Sequence, residues 1–318
     1  MKQQPAIDIV LAAYNGEQYL DKQIQSILNQ TYSHWRLIIR DDKSTDNTPE
    51  VINRYAKRYP DNIVVMTDFF HNLGVCGNFG KLLEHSTAGY TMFCDQDDVW
   101  LPRKIELTFA KMHGMEKTHG KDMPLLVYTD MKVVDDNLNV LSDSFWHHQI
   151  FNPDIGRSLS RFLVSNVATG CTVMINKKLR ELVTPLPQDA MMHDWWAGLV
   201  AVALGKSDYV DEATVMYRQH AANVVGATWN LTLQTFIDKL MHFGELKQIN
   251  REHLLRTQQQ AGALAARYKA LLGERAFKII MAYANLNSQS SFKKRFSIIR
   301  YGFWWSGFVR NAVMFLIV

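Results

Sequence analysis

Within about its first 95 residues the chain alternates four times between a short apolar run and an amphipathic stretch. Ile7 to Ala12, Trp35 to Ile39, Ile63 to Met66 and a run ending at Cys94 each have the length and near-continuous apolarity of a strand covered on both faces. Between them Leu20, Ile24, Ile27 and Leu28 recur at helical spacing as far as about Asn29. Asp46-Asn47-Thr48-Pro49-Glu50 is a helix start with a capping candidate and an early proline, and Val51, Ile52 and Tyr55 supply its buried face. A third helix is expected from Asn78 to about His85. Parallel neighbours need a crossover, and a helix in each crossover means a doubly wound, mostly parallel α/β sheet with its ligands at the strands' C-terminal ends.

The fourth run leads into Asp95-Gln96-Asp97-Asp98, three carboxylates in four residues. Like charges so close repel, so the cluster is either a solvated turn or has a cation against it. Mg²⁺ or Mn²⁺ carrying a phosphorylated substrate would suit, because both take carboxylate oxygens and keep positions open for phosphate.

Downstream, Pro102 opens a helix through Ile105, Phe109 and Met112, and Leu125 to Asp130 reads as a strand. A strand and turn follow around Asp135-Asp136-Asn137, and Phe145 to Ser160 reads as irregular, either an acceptor cleft or a surface loop. Gly170 to Ile175 is strand-like, His193-Asp194-Trp195-Trp196 opens an apolar helix to Leu204, and Thr214 to Arg218 is a last strand ending in Gln219-His220. After about Asn230 the pattern is helical without strands: Leu231 to Phe243, Leu246 to Leu272, Glu274 to Asn285. The expected organisation is therefore an α/β domain over 1–228 and a helical C-terminal extension over 229–318. In the extension, Phe292-Lys293-Lys294-Arg295-Phe296, the Tyr301 to Trp305 aromatics and the apolar Val313 to Val318 have the make-up of an interfacial membrane helix. The alternative is a helix docked on the domain with its charges solvated.

Composition narrows the function classes. With 47% hydrophobic and 21% charged residues the chain has a globular core, and a net charge of +4 is too mild to argue for nucleic acid. Cys76, Cys94 and Cys171 have neither disulfide nor zinc spacing, and the two that lie in apolar runs read as inert core thiols of a reducing compartment. No secretory signal is expected in the N-terminal stretch and no eighteen-residue apolar span occurs, which implies a cytoplasmic location.

Four separated features line up: Ala13-Tyr14-Asn15-Gly16, Asp41-Asp42-Lys43-Ser44-Thr45-Asp46, Asp95-Gln96-Asp97-Asp98 and His193-Asp194. Their order and spacing over residues 6–225 resemble the inverting bacterial glycosyltransferases of family 2, which have the GT-A nucleotide-sugar fold. Cys94 to Pro102, Met192 to Trp195 and Tyr217-Arg218-Gln219-His220 further resemble the rhamnosyltransferases that extend cell-wall rhamnan chains. The resemblance implies that Tyr14 packs on the pyrimidine and Asp41 accepts its ring N–H, with Asp42 and Asn78 in the same donor pocket. The residue reading of Asp41 and Asp42 also allows a turn held by side-chain-to-backbone bonds. It implies Asp97 as principal metal ligand with His220 beside it, and Asp95 on the ribose or the metal. His220 would tilt the choice of Mn²⁺ or Mg²⁺ towards Mn²⁺. Asp98 would meet the donor sugar or orient its loop, Arg218 would neutralise phosphate or pair with a carboxylate, and Asp194 would be the general base. Asp194 also suits a helix N-cap, and the two roles are compatible. Trp195 and Trp196 would face a sugar ring or pack in the core. Lys43 replaces a frequent glycine of the broad family, whereas His193 is what the rhamnosyltransferase subgroup implies.

The expected partners are a nucleoside diphosphate sugar, a lipid-linked saccharide acceptor and a membrane surface, and nucleic acid is not among them. A dinucleotide oxidoreductase is disfavoured because the Gly74 to Gly80 glycines have the wrong spacing and follow the third strand, not the first. A nucleotidyltransferase would want a basic residue in the Ala13 to Gly16 loop. A non-catalytic assembly partner on the same fold would not need Asp95, Asp97, Asp194 and His220 together.

Overall fold

A computed structural model describes residues 4–70, 72–220, 243–305 and 311. The first half is the predicted doubly wound unit. Strands β1 (Ile7–Ala13), β2 (Trp35–Asp41), β3 (Ile63–Val65) and β4 (Tyr90–Cys94) alternate with helices α1 (Leu20–Leu28), α2 (Thr48–Arg58) and α3 (Gly74–His85). They pair in parallel in the order β3-β2-β1-β4. Burial on both faces explains the unbroken apolar runs: Ile7, Ile9, Val10 and Leu11 are wholly inaccessible. Asp8 interrupts that run, and burial alone would raise its carboxyl. Arg36, Ser86 and the N–H groups of Thr87 and Ala88 hold it below its ordinary value instead.

The second half is mixed. After β5 (Val99–Trp100) and α4 (Lys104–His119) come β6 (Leu125–Val134), its hairpin partner β7 (Val140–Ser142) and short helices α5 (Phe145–Gln149) and α6 (Leu159–Phe162). Strand β8 (Met174–Asn176), helices α7 (Lys177–Val183) and α8 (His193–Leu204) and the long β9 (Lys206–Arg218) follow. The sheet continues β4-β8-β6-β9-β5, with β8 and β5 antiparallel to their neighbours and β6 parallel to β9, so most registered residue pairs of the whole sheet are parallel.

Several boundaries differ from the sequence expectation. Helix α3 starts at Gly74, four residues before Asn78, because the Asp42 carboxylate takes the N–H groups of Leu73 and Gly74 from across the sheet. Residues 145–160 are not irregular: Phe145, Trp146 and Ile155 are buried, and their burial folds the stretch into helical turns. The last strand begins at Lys206, since pairing with β6 overrides its polar start. Gly170–Thr172 is a 3₁₀ turn ahead of the β8 strand. Val99-Trp100 forms a two-residue strand that its sequence gives no reason to expect.

In the extension, α9 (Phe243–Tyr268), α10 (Glu274–Ala284) and α11 (Ser291–Tyr301) follow the predicted helical pattern. Helix α9 docks on the α/β unit through Arg267, which donates to the carbonyls of Leu182 and Thr184, and through Gln260, which accepts from Met191 N–H. The expected domain boundary at 228, the helix over 231–243 except its last residue, and the Val313 to Val318 terminus lie outside the described residues. Among the described residues no helix is long and apolar enough to cross a membrane.

Candidate active site

Five loop or helix ends meet at the C-terminal edge of the parallel strands. The β1 end presents Tyr14, half exposed, and Gln96 clamps that residue's main chain: Tyr14 N–H donates to Gln96 Oε1 at 2.8 Å, and Gln96 Nε2 donates to the Tyr14 carbonyl at 2.9 Å. Gly16 leaves room for that clamp: a Cβ there would lie 2.3 Å from Gln96 Oε1, and the Gln96 side chain would have to move. Gln96 thus ties the first loop to the carboxylate cluster, a role sequence reasoning missed although the residue sits between the aspartates.

At the β2 end Asp41 accepts from Ser44 N–H at 3.0 Å, so the turn reading holds for it, and it keeps part of its surface open. Lys43 adopts φ 71°, the left-handed region that favours glycine, and holds it at a local cost. Lys43→Gly is expected to raise stability by about 0.5–1 kcal/mol, the relief of strain less the entropy of glycine. A thermal melt would check it, and an unchanged or lower Tm would refute the strain argument.

Asp42 is 3% exposed and is engaged by Leu73 N–H, Gly74 N–H and Arg40. Arg40, 1% exposed on β2, also donates to Asp68, to the Phe70 carbonyl and to Asn78 Oδ1. A charged residue inside an apolar strand was the signal for it. Asn78, buried, spans back to the Ala13 and Arg40 carbonyls. Asp42 and Asn78, expected in the donor pocket, are paired with the protein around them, and pairing is what makes their burial tolerable.

The cluster after β4 is brought against the end of β9 by β5, whose Val99 and Trp100 pair with Met216 and Val215. That register puts Arg218 N–H 3.1 Å from Asp98 Oδ1 and His220 Nε2 3.0 Å from Asp97 Oδ2. His220 is stacked on Tyr19 with ring centroids 4.6 Å apart. The Arg218 guanidinium is buried beside the Tyr19 ring and donates to the Asp97 and Asp136 carbonyls. Arg218 thereby ties the carboxylate loop to the loop at Asp136.

Electrostatically the site is overfilled with negative charge. Burial, then Asp97, Asp98 and Asp194, hold the Asp95 carboxyl well above its ordinary value. Burial and then Asp97 push Asp98 up to about 8, although Arg218 N–H partly offsets them. One oxygen each of Asp95 and Asp98 lies within 4.8 Å of the other and of Cys171 Sγ. A divalent cation relieves such a field. Asp97 Oδ2 and His220 Nε2 lie 3.0 Å apart, in direct hydrogen-bonding contact. Carboxylate oxygens beside an imidazole nitrogen are a donor set whose chemistry fits Mn²⁺ or Mg²⁺.

Asp194 stands in the first turn of α8, 6% exposed, accepting from Trp195 N–H at 2.6 Å. Burial raises its carboxyl to about 6, against hydrogen bonds from the Trp195 and Gly170 N–H groups and from Asn166. A carboxylate fixed in direction and titrating near neutrality suits a general base. His193 beside it is buried between Phe79 and Phe93, and burial lowers it to about 3, so it is neutral packing next to Asp194. Trp195 and Trp196 are both core residues, Trp195 Nε1 donating to the Phe162 carbonyl. Burial raises the Cys94 and Cys171 thiols well above their ordinary value, as inert thiols require.

Comparison with known proteins agrees with this architecture. The dTDP-rhamnosyl transferase RfbG of Shigella flexneri is 27% identical over 230 residues, 68% of this chain and 74% of its own. The putative glycosyltransferase EpsE of Bacillus subtilis is 33% identical over 135 residues, 42% of this chain and less than half (48%) of its own. Among solved structures, S. aureus TarS superposes with TM-score 0.51 at 16% identity over 93% of this chain and 55% of its own. The Pyrobaculum calidifontis mannosyltransferase PcManGT, in complex with GDP-Man and Mn²⁺, does so with TM-score 0.50 at 16% identity over 99% of this chain and 88% of its own. At such identities the superpositions establish a GT-A-type glycosyltransferase fold, with the helical C-terminal region added to it. The sequence itself goes further, for residues 8–181, more than half of the 318, match Glycosyl transferase family 2, and to that family this chain belongs.

Proposed function

We propose that the protein is an inverting, metal-dependent transferase that moves L-rhamnose from dTDP-L-rhamnose onto a lipid-linked cell-wall or surface polysaccharide at the inner face of the cell membrane. The observation that carries the reading is Asp194, a buried carboxylate raised to about 6, facing a cluster whose Asp97 meets His220. The name of the Shigella relative supports the choice of sugar, and the Cys94 to Pro102 and Tyr217 to His220 segments point the same way.

In this reading Tyr14 and Asp41 receive the pyrimidine in the pocket that Arg40, Asp42 and Asn78 brace, and Asp95 and Asp98 face the ribose and sugar. Asp194 takes the proton of the acceptor hydroxyl as that oxygen bonds to the anomeric carbon. The bond from that carbon to the diphosphate oxygen breaks on the opposite face, which inverts the configuration. A divalent cation held by Asp97, His220 and Asp95 supplies charge stabilisation for the departing diphosphate. Turnover across UDP- and dTDP-sugars, with Mn²⁺ and with chelator, tests the proposal. Cation-dependent turnover of dTDP-L-rhamnose above the other donors is expected; preference for another donor would refute the rhamnose assignment, and no donor turnover at all would refute the transferase activity.

A further inference from the structure

Helix α11 has two opposed faces. Ser297 and Ile298 are buried against the protein, with Lys294 and Tyr301 half-buried beside them. On the other side Phe292, Phe296 and Ile299 are 82%, 56% and 61% exposed. These positions are i, i+4 and i+7, and at about 100° per residue they form one stripe about 60° wide. Arg295 flanks the stripe on one side and Lys293 and Arg300 on the other; the helix, SFKKRFSIIRY, has four basic residues and no acidic one. Docking on the protein is thus satisfied by one face and leaves an apolar stripe between cationic borders on the other.

The helix is also braced to the base. Beyond Gly302, at φ 73°, the chain turns so that Phe303 is buried and the Trp304 and Trp305 carbonyls accept from Arg161 of α6. The next residue of α6, Phe162, takes the indole N–H of Trp195 on its carbonyl, and Trp195 follows Asp194. Trp305 Nε1 adds a bond to the Val164 carbonyl.

We propose that α11 is a membrane-docking helix whose Phe292–Phe296–Ile299 stripe enters the headgroup boundary of an anionic bilayer and holds α8 and Asp194 in fixed relation to it. The proposal rests on the reading of the protein as a transferase with a lipid-linked acceptor, which a surface-bound enzyme would meet at the bilayer. Charge selects the occupant: a second copy of this face would set three cations against three, whereas anionic headgroups complement the borders while the three apolar side chains leave water.

The test is co-sedimentation of the full chain with vesicles of phosphatidylglycerol and phosphatidylcholine or of phosphatidylcholine alone. The variants are Phe292→Ser/Phe296→Ser/Ile299→Ser and Lys293→Glu/Arg295→Glu/Arg300→Glu. Wild type is expected on the anionic vesicles only, and each variant to partition about tenfold less or weaker still, with metal-dependent donor hydrolysis unchanged. Wild-type partitioning in either variant, equal binding to both vesicle types, or a stripe variant that loses self-association while staying on the vesicles would overturn the proposal. Vesicle binding with the expected variant losses but no donor turnover would uphold docking and overturn the transferase reading instead.

Discussion

Asp194→Asn is expected to lower transfer about 10²–10⁴-fold, the usual worth of a positioned general base, with donor binding unchanged. The amide keeps the shape and can still accept from Trp195 N–H, but it cannot take a proton. In the wild type, the rate with saturating donor should rise with pH through about 6 and then level, because only the ionised carboxylate works as a base. The sign for stability is the reverse. A carboxyl raised from 3.8 to about 6 by burial favours the protonated folded state, so wild-type stability should fall as pH climbs from about 4 through about 6. At pH 8 the ionised group costs up to about 3 kcal/mol, which Asp194→Asn would recover, with the gain vanishing below about pH 4. Transfer rates beside chemical denaturation at pH 8 and pH 4 read both effects. A variant that transfers at the wild-type rate would remove Asp194 from the mechanism.

Asp97→Ala should reduce metal-dependent turnover by at least about 10²-fold and abolish saturable Mn²⁺ binding. Asp97 and His220 form one unit at 3.0 Å, and truncating the carboxylate leaves the imidazole without its anionic partner. Calorimetric titration with Mn²⁺ separates loss of the ion from loss of the fold, with the melting curve as control. Retained Mn²⁺-stimulated turnover would place the ion elsewhere, with Asp95, Asp98 and Cys171 as the nearest alternative set among the described residues.

The parallel half of the sheet, the position of the carboxylates at a strand end and the family were all legible in the order of residues. These depend on local signals: apolar runs of strand length, helical spacing between them, and charged residues where an apolar run stops. The turn that the sequence allowed as the alternative for Asp41, and the placing of Asp194 as an acidic residue in a helix's first turn, also needed only neighbours in the chain.

The rest depends on one physical effect, pairing between residues distant in sequence. The two-residue strand β5 has no local signature, yet its pairing with β9 carries His220 to Asp97 across 123 positions. The same kind of contact divides the predicted donor residues. Asp42, Asn78 and Arg218 have the residue types of a binding site, and only distant contacts reveal that Arg40, the α3 N-terminus and two loop carbonyls also engage them. The rise of Asp194 to about 6 is likewise tertiary, because desolvation belongs to the packing around a side chain and not to its type.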